Sequence, residues 1–150
     1  MNHALVVDAS LAVKWVVKEE YSAEADALLR ESAASDQAIM GPPHLLAEVA
    51  NAVYQRVRTT DPDKHLTIDE AGAALAQFNT IGIQLSSPPE LGPGVARFAL
   101  MHQLPVVYDA LYVVLAQLID AELWTSDRKL IGLIGRAAPW VRYIGDYPVR

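Results

Sequence analysis

The strongest restriction on the fold comes from a repeated pairing, in which a short apolar run ends at a polar or acidic residue that opens a helical segment. Residues Ala4 to Val7 stop at Asp8, and Ser10 begins an amphipathic stretch to Val17. Residues Glu122 to Thr125 stop at Ser126 and Asp127, where a short helix is expected. Between these pairs, Ala25, Leu28 and Leu29 have helical spacing within Ser22 to Ala34, and Ala38 to Met40 reads as a strand before Gly41, Pro42 and Pro43. A helix is predicted from His44 to about Arg58, and Thr67 with Glu70 forms a capping-box pattern for another, running to about Phe78. Ile81 to Leu85 is a candidate strand, and Pro88, Pro89, Gly92 and Pro93 lead irregularly into a helix ending near His102. The segment from about Ala110 to Asp120 is apolar nearly all round and is predicted to be buried. Val141 to Ile144 makes a last strand. Strands separated by helices imply an α/β fold, a three-layer α/β/α sandwich around a central, mainly parallel sheet.

A chain of 150 residues is the usual size of one domain, with no linker or repeat visible. Its hydrophobic fraction of 52% and charged fraction of 20% suit a globular core. With no cysteine, disulfides and thiolate metal sites are excluded, which is compatible with a reducing cytoplasm. Asp8 and Lys14 interrupt what would be the apolar core of a signal peptide, and the apolar stretch from Leu104 to Ile119 is broken by Pro105 and Asp109, so no membrane segment is expected. The net charge of -6 repels phosphates on average, so any chemistry on nucleic acid must rely on local cations.

Ligands of open parallel sheets sit at the carboxyl ends of the strands. Asp8 and Asp127 follow strands there, and Asp109 follows Val106 and Val107 at the head of the buried helix, so three acids converge on one edge. Glu48 borders the apolar stripe of Leu45, Val49, Ala52 and Val53, with Asn51 and Gln55 on the same flank. Two like charges about 4 Å apart repel by roughly 4 kcal/mol at an effective dielectric near 20. A hard divalent cation, Mg²⁺ or Mn²⁺, offsets that cost and can activate water for attack on phosphorus. Taken singly, Asp109 and Asp127 read more readily as helix N-caps than as ligands, as do Ser10 and Ser126. The four acids together are harder to explain that way.

The same residues carry a family resemblance. Val-Val-Asp8-Ala-Ser10-Leu-Ala-Val-Lys14-Trp15, Leu-Leu-Ala-Glu48-Val-Ala-Asn51-Ala, Tyr108-Asp109-Ala-Leu-Tyr-Val-Val-Leu-Ala and Trp124-Thr-Ser-Asp127-Arg-Lys-Leu resemble, in order, the four signature regions of PIN-domain proteins of the VapC toxin type. The resemblance runs from Leu5 to Leu130, with Val141 to Tyr147 similar to the usual final strand. It implies a PIN-like fold and a Mg²⁺- or Mn²⁺-dependent endoribonuclease, dimeric and held inactive by a VapB-like antitoxin. It also implies that Asp8 and Asp109 are the principal metal ligands, with Asp127 and Glu48 completing the site.

Around the acids, Ser10, Asn51 and Ser126 are candidate supporting residues, and Lys14, Arg128 and Lys129 are candidate phosphate contacts. Arg56 falls inside the apolar stripe of its helix, an unusual place that points to the site or a partner. His3, His44, His65 and His102 show no metal-ligand spacing and receive no role; Trp15 and Trp124 are expected in the core. Two other readings stand beside the ribonuclease. One is an aspartyl-phosphate phosphatase or receiver with Asp8 as nucleophile, although a second Asp two residues on, where Ser10 stands, is missing. The other is a noncatalytic binding module on the same fold.

Overall fold

A computed structural model describes residues 3–149. Five strands form one all-parallel sheet in the order β3-β2-β1-β4-β5, where β1 is Ala4–Val7, β2 Ala38–Gly41, β3 Gln84–Leu85, β4 Glu122–Thr125 and β5 Val141–Tyr143. Seven α-helices connect or flank them: α1 Ala9–Ala12, α2 Ser22–Ala34, α3 Leu45–Arg58, α4 Ile68–Thr80, α5 Leu91–Met101, α6 Tyr108–Leu118 and α7 Arg128–Ile134. The architecture is the expected three-layer α/β/α sandwich. Leu5, Val6 and Val7 are all buried, and because successive strand residues point to opposite faces, β1 is covered on both sides.

The centre of the sheet places the site. β1 pairs with β2 on one side and β4 on the other, with Val7 beside Trp124. The chain moves outward from β1 through β2 to β3, then returns to β4 on β1's free side. This reversal opens a crevice at the carboxyl ends of β1 and β4. Asp8 follows the first of these strands directly, and Asp127 lies two residues beyond the second.

Helix α6 supplies the buried wall, with Ala110, Tyr112, Val113, Val114, Leu115 and Ala116 inaccessible and packed across β1, β4 and α5. A second, smaller core of Val13, Val17, Val53, Ala71 and Ala74 lies between the chain after α1 and the α3–α4 pair. The capping box of α4 is present: the Glu70 amide donates to Thr67 Oγ1 at 3.2 Å, and the Thr67 amide to Glu70 Oε2 at 2.8 Å.

Two sequence expectations need correction. The first helix runs for only four residues before tightening into a 3₁₀ turn over Val13–Trp15. The strand expected from Ile81 to Leu85 pairs only at Gln84 and Leu85, because β3 is an exposed sheet edge with one neighbour. Val106 and Val107, before the buried helix, form an exposed bend. Asp109 therefore reaches the crevice through the direction of α6, not as the end of a strand. Among the described residues, no helix is long and apolar enough to cross a membrane.

Candidate active site

Asp8 is the most constrained of the four acids. It is 5% exposed and caps α1, its Oδ1 accepting from the Leu11 amide at 3.1 Å and the Ser10 hydroxyl at 2.7 Å. The Thr125 hydroxyl donates to Oδ2. Burial pushes its pKa from 3.8 up to about 6; the bonds from Thr125, Ser10 and Leu11 oppose the rise, and the charge of Asp127 adds to it. A carboxylate offers about four lone-pair positions. Three are used, leaving one for a further ligand.

Asp127 caps α7 through Oδ1, which accepts from the Lys129 amide at 2.8 Å and the Leu130 amide at 3.2 Å. Its own amide donates to Thr125 Oγ1 at 3.0 Å. The capping role expected for a lone Asp is real here, and it turns one carboxylate edge into the helix while Oδ2 has no hydrogen bond among the described residues.

Asp109 is different. Val107 occupies the N-cap of α6, and Asp109 sits inside the first turn with no capping bond. It is half-buried, and burial raises its pKa, with the charges of Asp127 and Glu48 adding to the rise and His44 opposing it. A capping role for this residue is thereby excluded.

Glu48, on the first turn of α3, accepts from the Tyr112 hydroxyl at 2.9 Å. Its Oε1 also lies 2.7 Å from Nε2 of His44, one turn earlier, although the ring nitrogen is off the line needed for a hydrogen bond. Burial alone would raise the Glu48 pKa, but the His44 and Tyr112 contacts outweigh it and hold the carboxyl below its usual range. Burial first, then the charges of Glu48, Asp8 and Asp109, drive the Tyr112 phenol strongly upward, so it stays a donor. The polar company expected from Asn51 and Gln55 is not what Glu48 has: Gln55 turns to Asn51 at 3.4 Å, and Asn51 faces solvent beside the site.

The four acids thus come from four separate segments, with Asp127 in the field of both Asp8 and Asp109, and Asp109 also in that of Glu48. Ser10 and Ser126 lock the two helix starts together, the Ser126 hydroxyl donating to the Ser10 carbonyl at 3.0 Å and the Ser126 amide to Ser10 Oγ at 3.1 Å. Thr125, His44 and Tyr112 belong to the site and were not singled out from sequence. Each left a signal: a Thr closing a strand beside Asp127, a His four residues before Glu48, and a buried Tyr whose hydroxyl needs an acceptor.

Two clefts flank the acids. One, of about 390 Å³, is lined by Ser10, Val13, His44, Glu48, Asn51 and Tyr108 among others. The other, of about 480 Å³, is lined by Lys14, Glu20, Tyr21, Arg128, Lys129 and Tyr143 together with Ser126 and Asp127. Among the expected phosphate contacts, Lys14 is buried and bound to Glu19 at 2.8 Å, whereas Arg128 and Lys129 are exposed. Arg56 reaches Glu19 instead of the acids, so its place in an apolar stripe serves a Lys14–Glu19–Arg56 ion network.

The donor set is all oxygen, which suits a hard cation. Among the described residues no three acids or histidines enclose an ion by themselves.

No family model and no curated protein matches the chain. It is similar to the crystal structure of PAE2754 from Pyrobaculum aerophilum, with a TM-score of 0.64 and 24% identity over 95% of this chain and 92% of that one. At that identity the likeness speaks to the fold alone.

The Tyr112 hydroxyl gives a direct test of how Glu48 is held. Tyr112→Phe should raise the Glu48 pKa toward the usual carboxylate range and weaken divalent-cation binding by about 10-fold, the lower part of the range for lost outer-shell partners. Isothermal titration with Mn²⁺ measures the second effect. Unchanged affinity would show that the phenol does not orient Glu48 for a cation.

Proposed function

We propose that the chain is a Mg²⁺- or Mn²⁺-dependent endoribonuclease that hydrolyses RNA phosphodiesters, the toxin of a toxin–antitoxin pair. The observation that carries the reading is the convergence of Asp8, Glu48, Asp109 and Asp127, two of them with raised pKa values, at the crevice where the strand order reverses. Without a cation, the ionised forms of Asp8 and Asp109 cost the fold stability. Four segments bringing acids to that crevice are best explained by a ligand that needs them.

In this reading Asp8 and Asp109 are the principal holders of the cation, with Asp127 and Glu48 beside them. When bound, the cation supplies a polarised phosphoryl oxygen and an activated water. The protein's part is orientation. Thr125, Ser10 and the Leu11 amide fix the Asp8 carboxylate, the α7 amides fix Asp127, and Tyr112 with His44 aims Glu48 at the space between the acids.

The aspartyl-phosphate alternative is disfavoured because Ser10 stands where such proteins usually place a second Asp, two residues after the nucleophile. The proposed antitoxin and a second copy of the chain have an apolar surface to use: Leu100, Met101, Val106, Val107 and Tyr108 are exposed just before Asp109.

Metal dependence is the test. Purified protein should cleave single-stranded RNA only with added Mg²⁺ or Mn²⁺ and stop with chelator; full cleavage in chelator overturns the mechanism. The toxin role fails separately if the protein expressed alone neither slows growth nor copurifies with a partner.

A further inference from the structure

Arg128 stands one residue beyond Asp127, and its guanidinium is held by two phenols, not by a carboxylate. Nε donates to the Tyr143 hydroxyl at 2.7 Å and Nη2 to the Tyr21 hydroxyl at 2.9 Å. The guanidinium carbon lies 5.0 Å from the centre of the Tyr143 ring, and the Tyr21 and Tyr143 rings meet edge to face at 5.6 Å. Tyr21 achieves this with its backbone at φ 63°, a left-handed conformation that costs energy for any residue but glycine.

The result is a flat cation fixed in place yet not neutralised. Phenol hydroxyls accept its hydrogen bonds without giving it a counter-charge, and its bonds to them raise its pKa further. Of the about five N–H donors a guanidinium carries, two are spent. Arg128 and Lys129 are exposed in this cleft beside Glu20 and Asp127, while Lys14, also in its lining, is buried and paired with Glu19. A planar cation already stacked and immobilised binds a phosphate without the usual ordering cost, and aromatic and guanidinium planes are the surfaces on which unpaired bases stack.

We propose that the Tyr21–Arg128–Tyr143 cleft is a nucleotide subsite for single-stranded RNA. Arg128 takes a phosphate neighbouring the scissile one, and the adjoining unpaired base stacks on the Tyr–Arg platform. The inference rests on the ribonuclease reading and adds a path to it: the strand lies across the Ser10–Ser126 seam, with Asp127 at the border between the acids and the platform.

The test uses a short, unstructured, fluorescein-labelled oligoribonucleotide, with binding followed by anisotropy across a salt series and cleavage measured on the same preparations. Arg128→Ala should weaken binding about 10-fold and lower the slope of log affinity against log salt by about one. Arg128→Lys should restore the salt slope but not the affinity, since an ammonium keeps the charge and loses the plane. Tyr21→Phe with Tyr143→Phe, which frees the guanidinium without removing it, should weaken binding by a smaller factor and keeps the test open if Arg128→Ala misfolds. Arg97→Ala, an exposed charge on α5, controls for net charge and should bind as wild type does. If wild type cleaves RNA while Arg128→Ala binds it with unchanged affinity and salt slope, the subsite is wrong and the ribonuclease stands. If wild type with Mn²⁺ neither binds nor cleaves single-stranded RNA, the underlying reading fails and takes the subsite with it.

Discussion

Asp109→Asn should reduce metal-dependent RNA cleavage by at least about 100-fold while leaving the metal-free protein as stable as wild type or more so. The substitution keeps the shape and one accepting oxygen and removes one negative charge. Its usual confounder is helix capping, where Asp and Asn both serve well and a loss costs about 1 kcal/mol. That confounder is absent because Asp109 lies inside the first turn of α6 and makes no capping bond. What surrounds it is charge: burial, Asp127 and Glu48 all penalise its ionised form. Asparagine relieves that penalty, so the metal-free melting temperature should hold or rise at neutral pH, and the stabilisation gained on adding Mn²⁺ should shrink. Cleavage rate and melting temperature with and without Mn²⁺, read on one preparation, decide the matter. A fully active Asp109→Asn protein would remove this residue from the site, and an inactive one that is also unfolded would show a structural role instead.

The placement of these acids was legible in the sequence to different depths. Asp8 and Asp127 could be read because a short apolar strand that stops at an acid marks the carboxyl edge of a parallel sheet. The α2 boundaries and the Thr67 capping box were equally local matters of spacing and caps. Asp109 was legible only as an acid at the head of a buried helix: Val106 and Val107 before it lie exposed in a bend, and the packing of α6 across β1 and β4 brings it inward. For Glu48 the helix face was legible and the partners were not. A projection of one helix offers Asn51 and Gln55, whereas the hydroxyl that binds Glu48 comes from Tyr112, 64 residues away, and that pairing exists only in three dimensions. Arg56 follows the same logic, its misfit with the apolar stripe being resolved by Glu19 from another segment.

Asp8→Asn makes the electrostatic cost of the acid cluster measurable as a function of pH. In the folded chain the Asp8 carboxyl titrates at about 6 instead of 3.8, because burial outweighs the donors around it. A raised carboxyl pKa means that the native state binds the proton more tightly than the unfolded chain does. The resulting stability is fully present below about pH 3.8 and is lost as pH rises through about 6. The shift corresponds to on the order of 3 kcal/mol between these limits. Asparagine cannot ionise, so it escapes this loss. Its carbonyl can still accept from Leu11 and Ser10, and its amide can donate to Thr125 Oγ1 once that hydroxyl rotates. The difference in unfolding free energy, variant minus wild type, should therefore increase steadily between pH 4 and pH 7 and level off above. Subtracting wild type cancels the opposing titrations of Glu48 and Glu70, whose lowered pKa values make the fold less stable in acid. Urea unfolding in chelator at several pH values gives the curve, and the same series with Mn²⁺ should reverse it above pH 6, since only wild type can regain stability by binding the cation through this carboxylate. A difference that stays flat with pH would mean that Asp8 is ionised in the fold as easily as in water, and the case for a strained, cation-seeking cluster would lose its central member.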